Sequence, residues 1–338
     1  MKKRIGGFFE IEVVESDLCT EGDSVLKNWA LGDAHGLFTT ARSVILGLKE
    51  ELGSVNIWIP EIYCDVFEGI NQVKSYLLSK NSFDPDIQFL SENLKQNDMV
   101  IVVDYFGTEV GEVFKEYAQQ KTSINWVQDS SHNLRPSRDW ADFTLFSPRK
   151  LVGVADGGIL VQNTTRKKVI DFSNWNVDST HTQQAIAPFL RLITPDYSKL
   201  YDLYRAEESK LDYKLRTMPE YTKWQLNRIS ISDKILKRRE NFKTLREEFG
   251  ELLPSELIFK AETVPFGFPI YVQNRDEIQR KLSEKFIFAA IHWNNHANSR
   301  SHRQAGHEKM TLTIPCDHRY STEDMEYIKS NLKRFLTN

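Results

Sequence analysis

From about residue 38 the chain alternates between two hydrophobic periods. Over 41–52, Val44, Ile45, Leu48 and Leu52 recur on one side at helical spacing, which predicts an amphipathic helix. Val55-Asn-Ile-Trp-Ile59 is then a short apolar run closed by Pro60. Further runs at Ile87-Gln-Phe-Leu90, Met99-Val-Ile-Val-Val103, Ile124-Asn-Trp-Val127, Phe143-Thr-Leu-Phe146 and Gly158-Ile-Leu-Val161 predict strands, with a helical stretch from Glu109 to Gln119 among them. Near-continuous apolar strands separated by helices mean a mostly parallel sheet covered on both faces. Ligands of such sheets bind beyond the carboxyl ends of the strands, so the residues just after each strand are the first to inspect.

After about residue 195 the texture changes. A polar, helix-favouring region runs from Tyr197 to Phe249 and predicts a long connecting helix. A strand, Phe268-Pro-Ile-Tyr-Val272, and a helix from Arg275 to Glu284 follow. Ser321, with Asp324 three residues on, has the spacing of a capping box, ahead of a stripe of Met325, Ile328, Leu332 and Phe335. The pattern divides the chain into a large domain over 1–225 and a smaller α+β domain over 226–338.

Composition narrows the partners. The 338 residues are 40% hydrophobic and 27% charged, and at about 150 residues per domain that length fits two domains. The net charge is -3 with both signs interspersed, which excludes a basic nucleic-acid surface and leaves small molecules or further copies of the chain. Cys19, Cys64 and Cys316 are far apart and lack a CxxC spacing, as expected in a reducing compartment. There is no secretory apolar region and no window near the roughly 20 apolar residues that span a bilayer, so a cytoplasmic protein without a membrane contact is expected.

The chemistry concentrates in Trp126-Val-Gln-Asp-Ser-Ser-His132 and in Ser147-Pro-Arg-Lys150, followed by Asp156-Gly-Gly158. Asp129 stands where a buried strand stops; a carboxylate there can pair with a protonated pyridine nitrogen and keep pyridoxal phosphate an electron sink. Lys150 follows another strand end, where partial desolvation beside a cationic ring suits an amine for Schiff-base chemistry. Gly157-Gly158 supplies a tight turn. Taken singly, Asp129 reads first as a loop cap and Lys150 as a solvated surface lysine; joined with the rest of the pattern they read as a cofactor site. His292, His296, His302 and His307 invite a metal, and His292 and His296 have i,i+4 spacing, but Trp293 to Ser299 is turn-rich where such a pair needs a helix. No metal site is expected there; a mobile active-site loop with Trp293 near the substrate is. Lys237-Arg-Arg-Glu240 reads as a solvated helix face, and Arg149 as a phosphate or supporting contact.

Asp129, His132, Ser147, Lys150 and Gly157-Gly158 together resemble, in order, the motif of the DegT/StrS sugar aminotransferases, within fold type I of the pyridoxal-phosphate enzymes. Phe38-Thr-Thr-Ala-Arg-Ser-Val-Ile45 is similar to that family's phosphate-cradling turn and helix, Ile59-Pro-Glu-Ile-Tyr-Cys64 to its loop over the cofactor ring, and Ile314-Pro-Cys-Asp-His-Arg-Tyr-Ser-Thr-Glu-Asp324 to its ending. The resemblance implies an α/β fold with a mostly parallel mixed sheet, helices on both faces and a smaller C-terminal α+β domain. It implies pyridoxal phosphate on Lys150, with Asp129, His132, Ser147, Ala41, Arg42 and Tyr63 as cofactor-binding residues. It further implies an amino-acid donor such as glutamate, a nucleotide-linked keto sugar for polysaccharide or lipopolysaccharide biosynthesis, and a homodimer with shared sites. Ser147 and Lys150 stand closer than in the usual motif and resemble a shorter branch reading Ser-x-Arg-Lys. Ala41 and Arg42 replace a glycine and a small hydroxyl residue, and Arg42 at a helix N-terminus is expected to hold the phosphate. The sequence has no clear equivalent of the Asn that in the family reaches the phosphate from the partner subunit; Arg216-Thr-Met218 covers that region imperfectly. Lys150 favours transamination over sugar dehydration, whose branch lacks the lysine; a binding protein that has lost the cofactor is the alternative of another class.

Overall fold

A computed structural model describes residues 4–12, 22–30, 34–64, 67, 70–163, 166–175, 177, 186–193, 197–209, 214–293 and 302–337. Eleven strands are present among them: β1 (Ile5–Gly6), β2 (His35–Phe38), β3 (Ile57–Pro60), β4 (Val73–Tyr76), β5 (Met99–Val103), β6 (Asn125–Asp129), β7 (Phe143–Phe146), β8 (Gly158–Gln162), β9 (Phe268–Tyr271), β10 (Ile287–Phe288) and β11 (Thr311–Ile314). Seven form the main sheet in the order β2-β8-β7-β6-β5-β3-β4. β8 runs antiparallel to both neighbours, and the other pairs are parallel. Every residue of β5, β6 and β7 is buried, as expected of central strands covered on two faces, and β5 is apolar throughout.

The helix over 41–52 forms as Ala41–Glu51, with Thr40 as N-cap accepting from Ser43 N. The stretch Ile87-Gln-Phe-Leu90, read as a strand, is instead the start of a helix, Ile87–Asn93. Asp86 caps it by accepting from Phe89 N at 2.9 Å, and only Leu90 is fully buried. A four-residue apolar run fits either element, and the N-cap aspartate settles it. Nor is the region from Tyr197 to Phe249 one helix. It breaks into Tyr197–Glu208, Glu220–Leu226 and Ser232–Phe249, the second beginning directly after Pro219.

In the C-terminal part β9 and β11 pair antiparallel, and the closing helix Thr322–Leu336 packs on Ser232–Phe249 and Arg275–Ser283. Its capping box between Ser321 and Asp324 is formed in both directions. β1 pairs in parallel with β10, Ile5 opposite Ile287, which draws the N-terminal segment into this layer. No helix among the described residues is long and apolar enough to cross a membrane.

Candidate active site

β5, β6 and β7 end side by side, with Val103 opposite Asp129 and Asp129 opposite Leu145. Beyond these ends lies a cavity of about 580 Å³. Lys150, Asp129, His132, Ser147, Ala41, Arg42 and Tyr63 all line it, so the residues singled out along the sequence meet in one place.

Asp129 is the last residue of β6 and is buried. Its carboxylate accepts from the Tyr63 hydroxyl at 2.9 Å and from Ser131 N at 3.0 Å, and no cationic side chain pairs with it among the described residues. Burial and that carboxylate push the Tyr63 phenol well above its usual range, so it remains a donor. Lys150 ends a short 3-10 turn, Pro148–Lys150, that follows β7 through Ser147. The lysine is half-buried, and its side chain makes no ion pair or hydrogen bond among the described residues.

His132 is buried, with the Phe266 ring stacked on it at 3.9 Å between centroids and Trp293 parallel to it at 5.2 Å. Burial above all, and then Lys150, His292 and Arg238, hold its pKa well below the usual imidazole value, so it is neutral at pH 7. Its Nδ1 is buried without a hydrogen-bond partner. Buried polar nitrogens are normally paired, and an orphan on a cavity wall marks a ligand contact.

Ala41 and Arg42 open the helix Ala41–Glu51 at the cavity wall, beside the Thr40 and Ser43 hydroxyls, 3.1 Å apart. Gly158 is what lets that helix end come so close. A Cβ there would meet the Thr40 carbonyl carbon at 2.4 Å and Ala41 N at 2.5 Å. Gly157, at φ +125°, makes the preceding turn against Pro148. The pair thus ties the lysine turn to the helix N-terminus, an anion site by its free N–H groups and dipole.

Arg149 faces the cavity but is spoken for. It donates to the Tyr204 hydroxyl at 2.8 Å and to Glu208 at 2.9 Å. Burial works against its charge, yet Tyr204 and Glu208 raise its affinity for the proton. Sequence reasoning missed three groups of lining residues. Arg238, read as part of a solvated face, is 1% exposed and donates to the carbonyls of Leu151, Pro265 and Phe266. The N-terminal residues Gly6 to Phe9 form one wall, and Asp317 with Arg319 another. The pairing of β1 with β10 brings the first there, and nothing in its local pattern signals it.

His292 and Trp293 also line the cavity. His292 Nδ1 contacts the Thr313 hydroxyl at 2.9 Å, and its carbonyl accepts from His307 Nε2 at 2.7 Å. His307 Nδ1 in turn meets the Tyr271 hydroxyl at 2.7 Å, so these histidines are wired to the β9–β11 pair. Among the described residues no group of three potential ligands could hold a metal; residues 294–301, His296 among them, lie outside the described residues.

The donor set suits pyridoxal phosphate. It combines an uncommitted amine, a buried carboxylate contacted by neutral donors, an orphaned imidazole nitrogen and a helix N-terminus flanked by hydroxyls and a guanidinium.

No family model matches the sequence, and no curated protein does. Solved structures match along nearly the whole chain. The aminotransferase PseC of Helicobacter pylori, involved in pseudoaminic acid biosynthesis, superposes with a TM-score of 0.69 at 15% identity over 99% of this chain and 100% of its own. A DegT DnrJ EryC1 StrS aminotransferase of Brucella abortus gives 0.63 at 11% identity over 93% and 88%. NtdA of Bacillus subtilis, solved with bound cofactor PMP, gives 0.65 at 14% over 90% and 73%. The chain therefore has the fold of the DegT/StrS-type sugar aminotransferases, fold type I of the pyridoxal-phosphate enzymes.

Proposed function

We propose that this chain is a pyridoxal-phosphate-dependent aminotransferase that moves an amino group from an amino acid, glutamate, to a nucleotide-linked keto sugar destined for a surface polysaccharide. The observation that carries the reading is the meeting of Lys150, Asp129, His132 and the N-terminus of Ala41–Glu51 on one cavity. The bound cofactor supplies an electron sink for the Cα–H bond that breaks in the donor. Lys150 would hold it through Nζ and, as a free amine, would carry the donor's Cα proton, a task that depends on reach more than on basic strength. Asp129 keeps the proton on the ring nitrogen, and Tyr63 fixes the carboxylate's orientation. Neutral His132 offers Nδ1 to the ring. Ser147, the backbone N–H of Ala41 and the Arg42 guanidinium take the phosphate. The likeness to aminotransferases acting in sugar pathways supports a sugar acceptor, and the same reading makes the working unit a cytoplasmic homodimer with shared sites.

The test is direct. Protein supplied with pyridoxal phosphate is expected to absorb near the visible edge and to shift on adding glutamate. Borohydride is expected to fix the label on the peptide holding Lys150, and Lys150→Ala to abolish both signals. A colourless protein, or a label elsewhere, overturns the proposal. Mass spectrometry of products from a screen of keto sugars identifies the acceptor.

A further inference from the structure

Behind the cavity wall, and outside the cavity itself, lies a buried carboxylate that the proposed reaction does not use. Asp104 follows β5 and is completely buried. Its backbone N–H donates to the Asp129 carbonyl at 3.0 Å. Its side chain accepts from Gln128 Nε2 at 3.1 and 3.2 Å, from Ser130 Oγ at 2.7 Å and from Asn133 Nδ2 at 3.1 Å. No cation pairs with it among the described residues. Burial, and after it the negative Glu109, raise its pKa well above the carboxylate range.

A carboxylate placed where its charge is opposed is expensive, and the fold retains it by aiming three side-chain donors at it. All three come from one stretch. Gln128 and Ser130 stand on either side of Asp129, and Asn133 follows His132. Neighbouring side chains on an extended strand point to opposite faces. Anchoring 128 and 130 behind the sheet edge therefore fixes the rotation that turns 129 into the cavity. Anchoring 133 does the same for the turn that presents His132. A carboxylate needed only for folding would have no reason to gather its donors on both sides of the two cofactor-facing groups.

We infer that Asp104 is a positioning residue: it sets the orientation of Asp129 and His132 toward the cofactor without touching the cofactor. The inference rests on the function proposed for this cavity.

The experiment is a double-mutant cycle read as the pyridoxal phosphate dissociation constant, with thermal unfolding followed alongside. Asp104→Asn is expected to weaken binding about tenfold in the otherwise native chain, the scale of one buried hydrogen bond. In an Asp129→Asn background the effect is expected to shrink to about threefold or less, because of the two groups it acts through only His132 remains. Equal effects in both backgrounds, or a lowered melting temperature with unchanged binding, overturn the inference. If Asp104→Asn does not accumulate as folded protein, Ser130→Ala removes the shortest donor alone and is read by the same criteria. The two claims fail separately. A native chain that takes up no pyridoxal phosphate overturns the functional reading and this role with it, whereas normal uptake with additive variants overturns only the role of Asp104.

Discussion

At the scale of single residues, burial and neighbouring groups hold His132 and Tyr63 in their neutral forms more firmly than water would. His132 stays neutral because burial and three neighbouring bases oppose its charge. Tyr63 stays protonated because it is buried against a carboxylate. Asp129 is left as the acceptor both of Tyr63 and of any ring N–H brought to it. Asp129→Asn should leave the fold intact, since the amide oxygen can still accept from Ser131 N while its NH2 donates to the Tyr63 hydroxyl oxygen. It should weaken cofactor binding by about 1.5–3 kcal/mol and slow turnover further, because an amide cannot hold the ring nitrogen protonated. Unaltered turnover in this variant moves Asp129 from the chemistry to the scaffold. That these residues meet on one cavity was legible in the sequence, because strand-end carboxylate, strand-end lysine and paired glycines occur in a fixed order. That His132 is stacked between ring systems and short of a partner was not, since Phe266 and Trp293 arrive from more than a hundred residues away.

At the scale of elements, the close approach of the helix Ala41–Glu51 to the turn before β8 defines the anion end of the site. Gly158→Ala places a methyl group against backbone that has nowhere to go, and overpacking of this kind costs about 1–3 kcal/mol. The variant is expected to melt lower and to lose affinity for pyridoxal phosphate more than for phosphate-free pyridoxal. Arg42→Ala should show the same preference without the loss of stability, since Arg42 is only partly buried. Titrating apoprotein with the two ligands checks both; equal weakening of pyridoxal and its phosphate would show that this helix end does not hold the phosphate. Strongly patterned elements such as β5, β7 and the capped closing helix could be read directly from periodicity. The elements that escaped are those decided by one local atom or by distant packing. Asp86 turned a four-residue apolar run into a helix, Pro219 divided a long helical region, and Arg238 sits inside because three carbonyls await it there.

At the scale of the molecule, the N-terminal segment is the strap that joins the sheet carrying Lys150 to the C-terminal layer. Arg319 makes a two-pronged contact with Asp317 at 2.8 Å and reaches the Phe8 carbonyl and Glu10, while the Tyr320 hydroxyl accepts from Gly6 N at 2.7 Å. Glu12 completes the strap. Its carboxylate accepts from Gly153 N at 2.8 Å, just beyond the lysine turn, and from Lys234 Nζ at 2.7 Å on the helix Ser232–Phe249. Burial alone would raise the Glu12 pKa, but the His318 imidazole, 3.6 Å away, and the Lys234 charge overcome it and bring it from 4.5 down to about 2. A carboxyl whose folded value lies below its unfolded value stabilises the fold fully above the unfolded value and loses that contribution as pH falls through the folded one. The window here runs from 4.5 down to about 2, and the contribution is of order 2–3 kcal/mol. Glu12→Gln is therefore expected to lower the urea midpoint at pH 7 and to approach the native chain near pH 2, where Glu12 is at its folded midpoint and most of its charge contribution is lost. Denaturation curves at the two pH values decide it. A midpoint difference of the same size at both would show that Glu12 acts through packing, and that the charge pair with Lys234 does not hold the two parts of the molecule together.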